Sequence, residues 1–499
     1  MELFDHLALG FATAFTLTNL LYALLGCILG TLIGVLPGLG PVATIAMLLP
    51  VTYGMEPTPA LIMLASIYYG AQYGGSTTAI LVNLPGESSS VVTALDGYQM
   101  ARKGRAGVAL ATAGIGSFFA GCVGTLLIAL FATPLTALAL DFSAADYFSL
   151  MIFGLVAAVI MASGSVSKAI GMILLGLLFG TLGTDVNSGV ARFTFNQLSL
   201  MDGLDFVCIA MGIFGVAEIV RNLEAHGDSD PGSAPLTTLW PKRDDFRRMI
   251  PAILRGTGVG SLLGILPGAG ATLASFSSYS LEKKLSKQPH LFGNGAIEGV
   301  AGPESANNAA AQTSFIPLLT LGIPSSATMA MMIAALMIHN IQPGPQVMTS
   351  NPGLFWGLIV SMWLGNMILV ILNLPMVGIW ARLLRVPYRW LYPLILMFCC
   401  IGVFSIKNSV DDLWQMLFFG LLGYGFARLK LEAAPLMLGF VLGPLLEENL
   451  RRALLLSRGD FSVFFTRPIS ATLLLAATGL ILLMCLPKLN KSREEVFQE

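Results

Sequence analysis

Apolar stretches, each close to the length of a helix that crosses a bilayer, recur along nearly the whole chain with turn-forming residues between them. The clearest are Pro59 to Leu84, Gly107 to Ala132, Tyr147 to Ala162, Ala169 to Thr184 and Leu204 to Val220. After a polar stretch from Arg221 to Arg248 come Ala309 to Ile341, Gly353 to Ala381, Trp390 to Ile406, Leu413 to Ala427, Ala433 to Leu446 and Ile469 to Leu486. In hydrocarbon each backbone amide and carbonyl needs a partner inside the protein, so spans of about 20 residues are helices. Composition matters here in one respect. Only 11% of the 499 residues are charged, against roughly a quarter in a soluble domain, which leaves no room for a large soluble domain. The opening residues carry Glu2 and Asp5 and no basic residue before the apolar run. The first helix is therefore expected to be retained, not cleaved as a signal peptide.

Two more apolar segments, Thr13 to Pro50 and Ile250 to Ser280, are interrupted by Gly-Val-Leu-Pro-Gly-Leu-Gly at Gly34 to Gly40 and Gly-Ile-Leu-Pro-Gly-Ala-Gly at Gly264 to Gly270. Proline removes a backbone donor and glycine weakens a helix, so both segments are expected to be broken helices or hairpins. Each is followed by a loop, a long apolar segment with a second proline break (Asn83 to Glu87; Gly322 to Ser326) and further spans. The chain therefore reads as a duplication: a first membrane repeat over 1–223, a cytoplasmic linker over 224–249, a second repeat over 250–446, and a loop, extra span and cytoplasmic tail over 447–499.

Charge gives the halves a direction. The loop Tyr53 to Thr58 has no basic residue, whereas its counterpart carries Lys283, Lys284 and Lys287. Conversely, Arg102, Lys103 and Arg105 follow the second break of the first half, and Gln342 to Pro352 has no Lys or Arg. Equivalent loops are thus expected on opposite sides, the pattern of an inverted-topology repeat. The fold class predicted is an all-α polytopic membrane protein with about 11 crossings plus two hairpins. With the linker cytoplasmic, every Lys and Arg falls inside except Arg192, Lys407, Arg451, Arg452, Arg458 and Arg467. The N-terminus is then periplasmic and the C-terminus cytoplasmic, in a bacterial inner membrane.

In inverted-repeat transporters, substrate and ion sites form where broken helices meet near the midplane. Small hydrogen-bonding residues cluster at these breaks, and half-helix N-termini with hydroxyl and amide groups can replace the hydration shell of a carboxylate. Candidate substrate-binding residues are Gly38, Gly40, Gly75, Ser76, Thr77, Asn83, Pro85, Gly86 and Ser88 in the first half. Those in the second are Gly268, Gly270, Asn307, Asn308, Thr313, Pro324, Ser325 and Ser326. Glu87 and Glu304 are candidate groups for coupling to a cation, Na⁺ or H⁺, because intramembrane acids are costly unless they work. The plainer alternatives stand beside these readings. Pro-Gly motifs also let helices pack closely, and an acid at a helix N-terminus is favourable in itself. Arg255 is expected to snorkel toward the cytoplasmic surface.

Other chemistry is poorly supported. Cys27, Cys122, Cys208, Cys399, Cys400 and Cys485 lie in apolar stretches without metal spacing, and His6, His226, His290 and His339 are dispersed. No catalytic triad, phosphate-binding loop or metal motif is present, so neither an enzyme nor a cofactor is expected. The scattered basic residues give no support to nucleic-acid binding. A channel would need a continuous polar pore, and a membrane scaffold would not need paired polar breaks.

At these residues the sequence resembles the large membrane subunit of the tripartite tricarboxylate transporters, the TctA family. The resemblance is carried by Gly34 to Pro41, Tyr68 to Ser76, Asn83 to Glu87, Asp96 to Tyr98, Gly264 to Gly270, Glu304 to Ala309 and Gly322 to Ser326. It implies a secondary transporter that takes up citrate-like or related organic acids on an ion gradient. It also implies a small four-helix membrane subunit and a periplasmic solute-binding protein as partners.

Overall fold

The computed structural model describes residues 2–36, 40–83, 86–162, 165–185, 188–225, 240–266, 270–383 and 388–484. Helices dominate throughout. The first half contains α1 (Glu2–Ala14), α2 (Leu17–Val35), α3 (Pro41–Leu48), α4 (Pro57–Val82), α5 (Val91–Met100), α6 (Ala106–Leu140), α7 (Ala144–Met161) and α8 (Val166–Gly180). A small antiparallel ribbon, β1 (Gly183–Thr184) with β2 (Ala191–Arg192), precedes α9 (Phe206–Ala210), which runs through a π-helical stretch into α10 (Ala217–Ala225).

In the second half α11 (Arg243–Ile265), α12 (Gly270–Leu285), α13 (Glu298–Thr313), α14 (Phe315–Leu321) and α15 (Ala327–Ile338) lead to α16 (Gln346–Ser350) and α17 (Pro352–Asn373). Then come α18 (Val377–Leu383), α19 (Tyr388–Lys407), α20 (Val410–Arg428), α21 (Ala433–Leu456), α22 (Val463–Thr466) and α23 (Pro468–Met484). Helical structure ahead of the second proline break begins at Glu298 with α13 and continues in α14, earlier than the apolar run from Ala309 suggested, because polar Glu304, Asn307 and Asn308 are carried into the core.

By length and apolarity alone, Leu17–Val35, Ser88–Leu140 and Pro352–Asn373 qualify as membrane spans among the described residues. The central helices do not, for a physical reason. Every residue of α4 from Pro59 to Leu81, and of α13 from Gly299 to Thr313, is buried. A helix enclosed by other helices has no lipid-facing stripe to keep apolar and can hold glycine, serine, threonine and asparagine. Around this pair, α2 lies along α4, α11 along α13, and α5 and α6 pack against both.

The local geometry of the halves matches residue by residue. Gly26, Gly30 and Gly34 of α2 sit against the carbonyls of Met63, Ile67 and Ala71 of α4, so closely that a methyl at any of them would overlap backbone. In the same register Gly256, Gly260 and Gly264 of α11 sit against Gly302, Ala306 and Ala310 of α13. Leu36 and Leu266 leave their helices at φ −84°, ψ 113° and φ −77°, ψ 131°. Asn83 and Gly322 cap α4 and α14 in the left-handed region, at φ 59°, ψ 27° and φ 71°, ψ 23°. Glu87 and Ser326 are extended at φ −148°, ψ 166° and φ −154°, ψ 170°.

Several arginines outside the charge pattern are neutralised in place. Arg192 donates to both oxygens of Glu447 (2.9 and 3.0 Å), and Arg451 pairs with Asp185 (3.0 Å) and Glu447 (2.6 Å). Arg467 Nε donates to buried Asp146 at 3.0 Å. Arg255, whose side chain stays 39% exposed, also finds a partner within the protein. It forms a two-pronged pair with Glu282 of α12 (2.8 and 2.6 Å), a carboxylate only 2% exposed, reached because the break folds α12 back along α11. Cys27, Cys208 and Cys399 are packed into the main apolar core.

Candidate functional site

The breaks of the two halves meet at one cavity of about 570 Å³. Gly40 and Pro41 bring in the start of α3, Gly270 and Thr272 the start of α12, and Ser326, Ala327 and Thr328 the start of α15. Gly86, Glu87, Ser88 and Ser89 add the turn that leads into α5. Backbone amides at such starts lack intrahelical acceptors and carry the positive end of the helix dipole, a combination that binds anions. The breaks arise locally, because proline beside glycine ends one helix and permits the next to start. Ser326 caps α15 by accepting from Met329 N at 3.3 Å. Across the cavity Ser88 Oγ and Thr272 Oγ1 lie 2.8 Å apart, a hydrogen bond that joins the first half to the second.

The two acids occupy different layers. Glu87 is on the cavity wall, where its Oε1 accepts from Ser89 Oγ and from Asn307 Nδ2 (3.2 Å). Ser89 Oγ also lies 3.2 Å from Gln72 Oε1. Beneath it Gly75 is required by close approach, since a Cβ there would meet Glu87 Cγ at 2.9 Å. Glu304 is sealed in the interior at 1% exposure and does not line this cavity. Its carboxylate accepts from Ser76 Oγ (2.7 Å), Thr93 Oγ1 and Ser117 Oγ (3.4 Å), while Asn308 Nδ2 donates to Ser117 Oγ at 2.7 Å.

The model of the family described as "Tripartite tricarboxylate transporter TctA family" matches residues 20–438, a stretch that contains every residue of the cavity. The chain belongs to the TctA family. It is accordingly a membrane transport protein of the tripartite tricarboxylate class. An Agrobacterium vitis protein described as "Uncharacterized 52.8 kDa protein in TAR-I ttuC' 3'region" is 58% identical over 499 residues, 100% of this chain and 99% of the relative. A second from the same organism, "Uncharacterized protein in TAR-II ttuC' 3'region", is 59% identical over 240 residues, 48% of this chain and 99% of its own length. No solved structure matches this TctA protein.

Of the residues singled out in the sequence, Gly40, Gly86, Glu87, Ser88, Gly270 and Ser326 line the cavity of the TctA protein. Gly75 and Asn307 support Glu87 from behind. Ser76 and Asn308 belong to the Glu304 layer, and Thr77 donates to Tyr73 O at 3.2 Å in the same region. Thr313 bonds to Ala309 O within its own helix and packs on Gly264, Ser325 Oγ reaches Ser314 O at 3.4 Å, and Pro324 is buried beside it. Asn83 is exposed and does not reach the cavity wall. Gly38, Pro85 and Gly268 lie outside the described residues. Sequence reasoning missed Tyr68, Gln72, Thr272, Thr328, Arg221 and Glu432, all on the wall. The threonines shortly after each second-half break were a readable signal. Arg221 and Glu432 were not, since they reach the cavity from distant helix ends.

Proposed function

We propose that this chain is the permease subunit of an ion-gradient-driven, binding-protein-dependent transporter that imports a small organic acid, a tri- or dicarboxylate, across the bacterial inner membrane. The observation that carries the reading is the convergence of α3, α12, α15 and the turn before α5 on one cavity, each presenting an N-terminal end. Arg221 on the same wall adds a cationic group suited to an anion. The matching backbone geometry of the breaks supports a repeat of 1–223 and 250–446 that works by alternating access, and the opposite charge of equivalent loops supports its inversion, with the N-terminus periplasmic and the C-terminus cytoplasmic. Gly40, Gly86, Ser88, Gly270 and Ser326 would hold the carboxylates. Glu87 and Glu304 are the candidates for coupling to Na⁺ or H⁺. Family membership supports a small four-helix membrane subunit and a periplasmic solute-binding protein as partners.

The test is uptake of labelled di- and tricarboxylates into proteoliposomes that contain this chain with both partner subunits, with and without an inward Na⁺ or H⁺ gradient. Gradient-dependent, saturable accumulation that requires the binding protein is expected. Equilibration without accumulation, indifferent to the binding protein, would instead indicate a channel.

A further inference from the structure

A second void, about 10 Å³, lies apart from the large cavity and shares no lining residue with it. That is room for about one water-sized sphere. Its polar lining is Tyr73, Ser76 and Thr77 of α4, Ser117 of α6, Glu304 of α13 and Asn373 of α17, all deeply buried. Two oxygens among them, Tyr73 Oη and Asn373 Oδ1, have no hydrogen-bond partner among the described residues, a condition that a buried polar atom rarely tolerates. The amide nitrogen of Asn373 is already engaged by Leu369 O (3.0 Å) and Thr31 Oγ1 (3.4 Å), so the oxygen is its free end. Glu304 is met by hydroxyls, and among the described residues no ion pair to it forms.

We infer that this void binds one dehydrated monovalent cation of Na⁺ size, with Glu304 supplying the charge and the phenol, amide and hydroxyl oxygens replacing its water. Water alone would satisfy the orphaned oxygens and leave a buried carboxylate met only by hydroxyls. The rival arrangement is a proton on Glu304 with one water between Tyr73 Oη and Asn373 Oδ1, and it predicts no specific ²²Na⁺ binding. A divalent cation is poorly served by one carboxylate, because hard divalent sites draw on several charged or water ligands. An anion is repelled. The void also joins the halves, since α4 and α6 come from one and α13 and α17 from the other. It lies one helical turn from the substrate cavity: Ser76 Oγ is 3.0 Å from Gln72 O, and Gln72 lines that cavity. This deepens the ion-coupling reading and rests on it for its role in transport, though not for binding itself.

The experiment is equilibrium binding of ²²Na⁺ to the purified full chain, compared with uptake by the reconstituted complex. Saturable binding, displaced by unlabelled Na⁺ and weakly or not by K⁺, is expected for the natural chain. Tyr73→Phe, which removes one oxygen and keeps the ring, should weaken it at least about tenfold, and Glu304→Gln should abolish it. Should Glu304→Gln fail to fold, Tyr73→Phe and Asn373→Leu still decide. No specific ²²Na⁺ binding to the natural chain, or binding unaltered in Tyr73→Phe and Asn373→Leu, would overturn the site even if uptake proceeds. Specific binding lost in these variants, in a complex that takes up no organic acid, would uphold the site and refute the transport reading.

Discussion

After α4 and after α14 the chain makes the same turn with different chemistry. Asn83 and Gly322 hold the same left-handed cap, and Glu87 and Ser326 the same extended step before the next helix. Yet the first break puts a carboxylate on the cavity wall, and the second puts there a hydroxyl that caps α15. The two turns share backbone shape but not polarity. On the proposed function, the shape presents helix starts to an anion twice, and a single acid avoids two facing carboxylates that would repel each other and the ligand. The caps differ as well. Asn83 is exposed, so its side chain is tolerated, whereas a Cβ at Gly322 would meet Pro343 O at 2.6 Å.

The largest effect should come from locking the two breaks together. With Ser88→Cys and Thr272→Cys, whose native oxygens lie 2.8 Å apart, oxidation should stop uptake completely and reductant should restore it. Undiminished uptake by protein shown to be cross-linked would mean that the breaks do not separate during transport.

A smaller effect is expected along the glycine stripes. Gly30→Ala and Gly260→Ala each push a methyl into the facing helix, at Ile67 O and Ala306 O. Each should cost about 1–3 kcal/mol, read as similar drops in melting temperature in detergent. A large drop in one variant with none in the other would break the correspondence of the halves.

The smallest concerns the caps. Gly322→Asn should destabilise by about 1–3 kcal/mol through overlap with Pro343. Asn83→Gly should shift stability by only a few tenths of a kcal/mol, because glycine adopts the left-handed region freely. It should also leave the KM for uptake unchanged, since Asn83 is not on the wall. A raised KM in Asn83→Gly would return this side chain to the binding site.

The breaks themselves were legible because their cause is local. Proline cannot donate, glycine resists helix, and the two together mark a helix end wherever they stand. Gly40, Gly86, Ser88, Gly270 and Ser326 follow from that rule, and they do line the cavity. Ser76 and Asn308 sit in the same polar clusters and face elsewhere, because the side of a fully buried helix that meets the cavity is chosen by its neighbours. A helix with lipid on one side advertises its orientation by an apolar stripe. α4 and α13 have no such side and so no such signal.

By itself, then, the sequence determined a helical membrane protein, the position of its interruptions and the recurrence of its Pro-Gly motifs, all consequences of backbone chemistry and apolar run length. The tertiary structure decided the fate of the two acids. Glu87 became part of the cavity wall and Glu304 was sealed against Ser76, Thr93 and Ser117. Burial is set by segments far apart in the chain, here α4, α5, α6 and α13. No local pattern around either glutamate encodes which helices will close over it.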